Sequence, residues 1–212
     1  MKSTLIKKVL DVIYHTKAYH ALAPATQGLG LIFTLHHVRP VKPEHKTSEF
    51  HPNGILEITP DFLDATIERL KLLDIDLVSL EDAVNRIESG NSDKRFACFT
   101  LDDGYHDNFL FAWPIFKKHQ CPFTVFVSPG IVDGTCELWW VALEKIIAEN
   151  KEITLTLNAD EETYRCETDA EKQQVFEALY WPIRNMDEYE QRTFIRALCD
   201  QYQLDLEDIC NW

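Results

Sequence analysis

Apolar runs that alternate with helical segments between residues 31 and 128 are the feature that most limits how this chain can fold. The apolar runs, each typical of a buried strand, occupy residues 31–35, 77–78, 95–101 and 122–127. The segments between them, typical of helices, occupy residues 59–73, 79–90 and 107–119. Strands that alternate with helices favour a parallel sheet with crossover helices, either open or closed as a barrel. We therefore predict an α/β fold for this part of the chain.

The C-terminal third of the chain has a different pattern. Helices are predicted at residues 139–150, 169–180, 187–202 and 205–210. Two short runs at 153–157 and 163–166 flank a polar turn and predict a hairpin. Because no flexible linker precedes this stretch, we interpret it as an α+β insertion on the same domain. The predicted organisation is a helix and linker at 1–30, the sheet-forming part at 31–131 and the insertion at 132–212.

Charge and composition exclude several classes of protein. The chain has 212 residues, enough for one domain with a sizeable core. It carries 21 Lys and Arg against 35 Asp and Glu, a formal net charge of −14. A nucleic-acid partner is not expected, because phosphate binding needs a basic surface. The six cysteines form no CxxC pair, so a zinc knuckle is not indicated. No run reaches the roughly 18 apolar residues of a transmembrane helix.

The first 23 residues predict an amphipathic helix. Its apolar stripe consists of Leu5, Ile6, Val9, Leu10, Ile13 and Tyr14, with Lys7, Lys8 and Lys17 nearby. The stripe either packs on the domain, which we expect, or lies on a membrane surface. No secretory signal peptide is recognisable. We therefore expect a cytoplasmic protein, with peripheral attachment to the inner membrane face through this helix as the alternative.

Two adjacent carboxylates follow the apolar run at 95–101 directly. Asp102 and Asp103 are expected at the end of a buried strand, and Gly104 allows a sharp turn after them. Functional groups collect at the carboxyl ends of parallel strands, and neighbouring carboxylates repel each other unless they share a cation or a proton. Asp-Asp-Gly is also a common solvated turn. The strand before it and the stretch at 105–108 after it favour a functional site.

This stretch resembles a known family. FTLDDGYHDN at 99–108 resembles the signature of the polysaccharide deacetylases, the NodB-homology group or carbohydrate esterase family 4, with Leu101 in place of the usual Phe. LHHVRP at 35–40 resembles the strand-end His motif of many members. HQCPFTVFVSPGIVDG at 119–134 is similar to the strand after the signature, and LWWVALEKII at 138–147 to a segment of bacterial members with an insertion. The resemblance covers about residues 31–212 and implies an incomplete, NodB-like distorted (β/α) barrel.

The resemblance also implies roles for the two carboxylates. Asp102 matches the general base that deprotonates a metal-bound water, and Asp103 matches a metal ligand. The implied cofactor is a divalent cation, zinc, with cobalt, nickel or manganese as alternatives. Two further His ligands in the family come from a later His-Ser/Thr-x-x-His motif, and another His acts as general acid. The last His here is His119, so both elements are absent. Since Trp212 resembles the Trp before that motif, we expect an N-terminal portion that binds metal weakly and is inactive alone.

Five further residues are candidates for contact with a substrate: His36, His37, Tyr105, Trp139 and Trp140. The two histidines could replace missing ligands, but one packed core histidine and one partly exposed histidine are the more usual outcome. The two tryptophans could stack on a sugar ring, although bulky aromatic residues more often belong to a core.

Together these features predict a hydrolase that removes N-acetyl groups from an amino-sugar polysaccharide or glycolipid. The alternative is a non-catalytic, carbohydrate-binding relative that retains the scaffold, because a fold does not fix a function. The expected partner is a carbohydrate. An open apolar sheet edge can pair with another copy of the chain, so self-association is also expected.

Overall fold

The computed structural model describes residues 2–19, 21, 28–42, 48–90, 94–157, 160–206 and 209. The strands are β1 (Gly30–Leu35), β2 (His37–Val38), β3 (Glu57–Ile58), β4 (Asp76–Leu77), β5 (Phe96–Asp103), β6 (Phe123–Val127), β7 (Glu152–Leu157) and β8 (Asp160–Arg165). The helices are α1 (Lys2–His15), α2 (Pro60–Leu72), α3 (Leu80–Ser89), α4 (Trp113–His119), α5 (Pro129–Val132), α6 (Trp139–Glu149), α7 (Asp169–Arg184) and α8 (Glu188–Gln201). A 3-10 helix covers Pro52–Leu56, and a π-helical turn at Asn108–Ala112 precedes α4.

Four strands form one parallel sheet around β5. Strand β1 pairs with one edge of β5 from Gly30 opposite Phe96 to Leu35 opposite Leu101. Strands β4 and β6 share the other edge, β4 at the start of β5 and β6 along its last five residues. The predicted parallel sheet with crossover helices is therefore confirmed. In the described part of the chain this sheet stays open and does not close into a barrel.

Strand β5 is buried on both faces, which explains its continuous apolar sequence. Side chains alternate along a strand, so Ala97, Phe99 and Leu101 face α2 and α4, whereas Phe96 and Cys98 face a smaller cluster around α3. The Phe99 ring stacks on Phe33 at 4.9 Å and meets Phe116 at 5.4 Å. These contacts fix the register of β5, and with it the position of the carboxylates at its end.

The outer edge of β1 pairs with no other strand among the described residues. Leu31 and Ile32 on this strand are exposed. The expected apolar edge is therefore present, and self-association stays a prediction.

The C-terminal third packs around an apolar cluster of its own. Helices α6, α7 and α8 and the β7–β8 hairpin surround Leu143, Ile147, Ile153 and Leu179. The first three predicted helices and the hairpin are present, and α7 continues to Arg184, beyond the predicted end at residue 180. Much of the last predicted helix, at 205–210, lies outside the described residues. This cluster forms one wall of the candidate site.

The stretch at 38–58, which lies between the first predicted strand and the first predicted helix, contains regular structure that the sequence did not predict. Strand β2 pairs in parallel with β3, His37 lying opposite Glu57. Arg39 explains this pairing, because its backbone N–H donates to Ile58 at 3.0 Å and its guanidinium pairs with Glu57. The 3-10 helix just before β3 therefore lies close to the end of β1.

The expectation that the apolar stripe of α1 packs on the domain is wrong for the described residues. Ile6, Val9, Leu10 and Tyr14 are all at least half exposed, Tyr14 at 70%. None of these residues belongs to an apolar cluster of the fold. Both faces of β5 are already covered by α2, α3 and α4, so α1 packs on neither of them. None of the described helices combines the length and the apolar character that crossing a bilayer requires.

Candidate active site

The end of β5 turns sharply at the two carboxylates. Asp103 has φ +74° and Gly104 has φ +76°, so both lie in the left-handed region. The Gly104 N–H donates to the Asp102 carbonyl at 3.0 Å, and the Ser128 N–H donates to the Asp103 carbonyl at 3.2 Å. Asp tolerates left-handed backbone better than most residues, and Gly adopts it freely. The turn carries the chain past the two carboxylates to Tyr105.

His36 stands beside Asp102 because each follows directly on the last paired residues of β1 and β5. Leu35 lies opposite Leu101, so the next residue of each strand meets its counterpart. The Nε2 atom of His36 is 3.9 Å from Oδ2 of Asp102, and both side chains are about one third exposed, at 28% and 36%. This separation is too long for a direct hydrogen bond, but a bridging water would fit between the two groups. Both groups are therefore accessible to a ligand.

A buried polar network holds the neighbouring histidine. His37 Nδ1 lies 2.6 Å from Asp107 Oδ2. The other Asp107 oxygen accepts the Val38 N–H at 3.3 Å and the Asn108 side-chain amide at 2.9 Å. The same amide donates to the His36 carbonyl at 2.8 Å. The network links the end of β1 to the π-helical turn and so fixes the backbone that carries both histidines.

Tyr105 connects this network to the carboxylate pair. Its ring stacks on His37, with the centroids 3.8 Å apart. Its hydroxyl hydrogen-bonds to Asp103. Burial, the negative charge of Asp103 and this hydrogen bond raise the pKa of Tyr105 above its ordinary value of 10.0. The hydroxyl therefore stays protonated at neutral pH. As a hydrogen-bond donor it orients the Asp103 carboxylate.

One cleft of about 370 Å³ brings the candidate residues together. It is lined by His36, Asp103, Tyr105, Trp139 and Trp140. Its opposite wall comes from the 3-10 helix and from α7. Asp102 stands next to His36, as described above, and His37 lies behind Tyr105 and lines a neighbouring cavity. Residues from three distant parts of the sequence therefore converge at the carboxyl end of the sheet.

The two tryptophans differ in their surroundings. Trp139 is buried, packs against Tyr180 at 5.1 Å and meets Trp140 edge-on at 5.8 Å. Trp140 is only half-buried and lies at the border between the cleft and other cavities. Trp139 is thus mainly a core residue, whereas Trp140 offers a ring face that a ligand can reach.

The side chains at the cleft supply some of the ligand atoms that a cation site needs. His and Asp are zinc ligands, and His36 and Asp103 face the same cleft. A catalytic zinc site uses three protein ligands. In the described part of the chain, one group of three possible ligand atoms lies within 4.8 Å of one another, and it belongs to Asp64, Glu68 and His119. The described residues form no such group at this cleft. The described residues therefore offer an incomplete donor set at Asp103.

The group at Asp64, Glu68 and His119 has another explanation. His119 Nε2 lies 2.7 Å from Asp64, and the Lys118 ammonium donates to both oxygens of Asp64 at 2.7 and 2.8 Å. The Lys71 ammonium also donates to the His119 carbonyl at 2.8 Å. Lysine charges already occupy the space that a cation would take. We interpret this group as an ion-pair network that joins α2 to α4.

Several contributors to the site were not predicted from the sequence. Asp107 stands at the start of a helical turn, but its side chain makes no capping hydrogen bond and binds His37 instead. Asn53 and Leu56 line the cleft from a stretch for which the sequence predicts no regular element. No local pattern signals either role, because both depend on contacts between residues that are far apart in sequence.

Two solved deacetylase structures are similar to part of this chain. The Streptococcus pyogenes deacetylase PplD, in complex with acetate, has a TM-score of 0.42 and 22% identity, covering 49% of this chain and 44% of that one. The de-N-acetylase from Aggregatibacter actinomycetemcomitans has a TM-score of 0.40 and 15% identity, covering 70% of this chain and 51% of that one. This chain therefore spans about half the length of each. No protein-family model matches the sequence, and no curated protein sequence does.

Proposed function

We propose that this chain carries the carboxylate part of an N-deacetylase site that acts on an acetylated amino sugar. The observation that carries the proposal is the turn at the end of β5. It presents Asp103 to a cleft shared with His36 and leaves Asp102 beside the same histidine. Adjacent carboxylates at the carboxyl end of a buried parallel strand are suited to proton transfer in a ligand cleft.

In the proposed reaction the acetamido group lies between the carboxylates and the tryptophan wall. Water adds to the amide carbon, and Asp102, which is partly exposed, accepts the proton that the water loses. The carbon–nitrogen bond then breaks, the nitrogen takes up a proton, and acetate and a free amino sugar are released. Tyr105 keeps Asp103 oriented through its hydroxyl, and Trp140 offers a ring face to the sugar.

A divalent cation is part of the proposal, zinc in the first place and cobalt, nickel or manganese as alternatives. When bound, such an ion polarises the amide carbonyl and lowers the pKa of a coordinated water. Asp103 is the proposed ligand, with His36 as a second donor on the same cleft. The proposal requires further donors beyond the described residues. It also treats the open parallel sheet as part of a distorted (β/α) barrel.

The incomplete donor set favours a second candidate function. A protein with the same cleft but without a complete cation site would bind the sugar and leave the amide intact. Trp140 and the polar wall of the cleft serve this function equally well. The two candidates are distinguished by turnover, not by binding.

Acetate release tests the two candidates. The full-length protein, including any residues beyond Trp212, is incubated with N-acetylglucosamine oligomers and each of the four metal ions, and acetate is measured against a protein-free control. The proposed function predicts release that falls about 100-fold or more in Asp102→Asn. Asp133→Asn, an exposed aspartate away from the cleft, is the matched control and should retain the wild-type rate.

Equal release by the wild type and Asp102→Asn would contradict the assigned role of Asp102. Sugar binding without any acetate release, with every metal ion, would favour the binding protein.

A further inference from the structure

The wall of the cleft that α7 forms carries a guanidinium group. Arg184 lines the cleft near the end of α7, together with Tyr180 of the same helix and Gln191 of α8. Asp103 lines the cleft from the other side, at the end of β5. The cleft therefore has carboxylates on one wall and a permanent positive charge on the opposite wall.

Two aromatic side chains hold Arg184 in position. Its Nη1 atom donates to the Tyr180 hydroxyl at 3.0 Å. The guanidinium carbon lies 5.8 Å from the centre of the Tyr180 ring and 5.3 Å from the centre of the Trp181 ring. Such contacts restrict a long, flexible side chain, so less conformational entropy is lost when it binds a ligand.

No carboxylate neutralises Arg184 among the described residues. The two acidic residues that follow it most closely in the sequence have other partners. Asp187 accepts the Glu190 N–H at 2.9 Å, and Glu188 pairs with Arg192 at 3.4 Å. In a chain with a net charge of −14, the cleft thus retains an unneutralised arginine. A guanidinium of this kind is suited to an anionic group of a ligand.

Tyr180 and Gln191 add hydrogen-bond donors beside Arg184. The Tyr180 hydroxyl accepts from Arg184, so its own proton can be donated to a ligand. The Gln191 amide donates one hydrogen to the Ile183 carbonyl at 2.9 Å and has a second one to offer. Donors from two helices suit a tetrahedral phosphate, whose oxygens point in several directions. A planar carboxylate has two oxygens in one plane and uses such a cluster less fully.

We propose that the amino sugar bound in the cleft carries a phosphate group, and that Arg184 selects it. The acetamido group lies at Asp103, and the phosphate bonds to Arg184, Tyr180 and Gln191. The cleft of about 370 Å³ is near the lower end of the range for small-molecule sites, so the phosphate belongs to the same sugar unit. This inference rests on the proposed function, since it names a substituent of the ligand assigned to the cleft.

Calorimetric titration of the full-length protein, including any residues beyond Trp212, tests the proposal. The probes share one acetamido group: N-acetylglucosamine, its 1-phosphate, its 6-phosphate, and N-acetylmuramic acid, which carries a carboxylate. At least one of the two phosphates should bind about tenfold more tightly than the neutral sugar. This preference should decrease as the salt concentration rises, because Arg184 is exposed and its charge is screened.

Variants of Arg184 show whether this residue is the source of the preference. Arg184→Gln removes the charge and should reduce the ratio of the two affinities to about one. Arg184→Lys keeps the charge but loses the planar fork of donors, so it should retain part of the preference. Arg69→Gln, which changes an exposed arginine on α2 outside the cleft, is the matched control and should keep the wild-type ratio. Thermal melting verifies that all three variants are folded.

The outcomes separate this inference from the function on which it rests. Equal affinity for the neutral sugar and both phosphates, or an unchanged ratio in Arg184→Gln, would overturn the phosphate site and leave the cleft assignment intact. Tighter binding of N-acetylmuramic acid than of either phosphate would also overturn it, in favour of a carboxylate ligand. Absence of binding to all four probes would overturn both.

Discussion

His37 and Asp107 form a buried pair, with Nδ1 of the imidazole 2.6 Å from Oδ2 of the carboxylate. The two residues are 70 positions apart in the chain, and both side chains are about one tenth exposed. Because the second Asp107 oxygen also accepts the Val38 N–H, one carboxylate joins β2 to the helical turn that follows the site. The pair thus supports the backbone of both histidines without lying in the cleft itself.

Asp107→Ala should destabilise the protein by about 3 kcal/mol, because it leaves several buried donors without an acceptor. Chemical unfolding in urea measures this change. Asp200→Ala, which removes an exposed aspartate on α8, is the control and should change the free energy of unfolding by less than about 0.5 kcal/mol. Similar stability of the two variants would show that the Asp107 network contributes little.

Glu57 should make stability depend on pH in the acidic range. Its pKa in the folded state lies below the ordinary value of 4.5, so the folded state binds this proton less readily than the unfolded state. Its stabilising contribution is therefore complete above pH 4.5 and is lost as the pH falls through the lower folded-state pKa.

Glu57→Gln should accordingly be less stable than the wild type by about 1–3 kcal/mol at neutral pH, and the difference should shrink in acid. Urea unfolding over a pH series measures the difference. Glu152→Gln, an exposed glutamate on β7, is the matched control. A constant gap between wild type and Glu57→Gln across the series would contradict the ion-pair account.

Tyr105 should ionise only at strongly alkaline pH. Burial and the Asp103 carboxylate raise its pKa above 10.0, so its contribution to stability is full below pH 10.0 and is lost as the pH rises further. The ionisation of the 7 tyrosines can be followed by ultraviolet absorbance as the pH rises. Tyr105→Phe should reduce the absorbance change in the phase at the highest pH by the contribution of one tyrosine. Tyr189→Phe, which removes an exposed tyrosine, should leave that phase unchanged. If Tyr105→Phe instead removes an early phase, its hydroxyl is not held by Asp103.

The exposed apolar face of α1 should bind anionic membranes. Val9 and Leu10 are exposed, and Lys7 and Lys8 lie on the same helix and complement anionic lipid headgroups. The double variant Val9→Asp/Leu10→Asp should lose most co-sedimentation with phosphatidylglycerol vesicles. Leu72→Asp, an exposed leucine on α2, is the control and should sediment like the wild type. Sedimentation that is unaffected by the double variant would exclude α1 as the contact.

The sequence predicted the sheet well because its strands carry strong local signals. Strand β5 is buried on both faces, and its run of apolar residues is consequently continuous. The helices between the strands begin at recognisable caps, such as Thr59, whose hydroxyl accepts the Phe62 N–H. Patterns of this kind depend on the period of the backbone alone and can be recognised in a single sequence.

The walls of the site could not be predicted in the same way. Strands β2 and β3 are only two residues long, too short to show a period, and they form because Arg39 meets Glu57 across 18 positions. The role of Asp107 depends on a histidine far away in the chain. The position of α1 was also misjudged, because amphipathicity shows which face is apolar but not whether any surface is available to cover it.

Strand β5 has a hydrogen-bonded neighbour along one edge as far as Leu101 and along the other as far as Asp103. The walls around its end belong to the 3-10 helix and α6, and α6 packs into the separate apolar cluster of the C-terminal third. Attempts to redesign which ligand the cleft accepts should therefore start from these walls. Substitutions in these walls leave the pairing of β5 with β1 and β6 intact. The ligand preference can therefore be varied while the carboxylates keep their geometry.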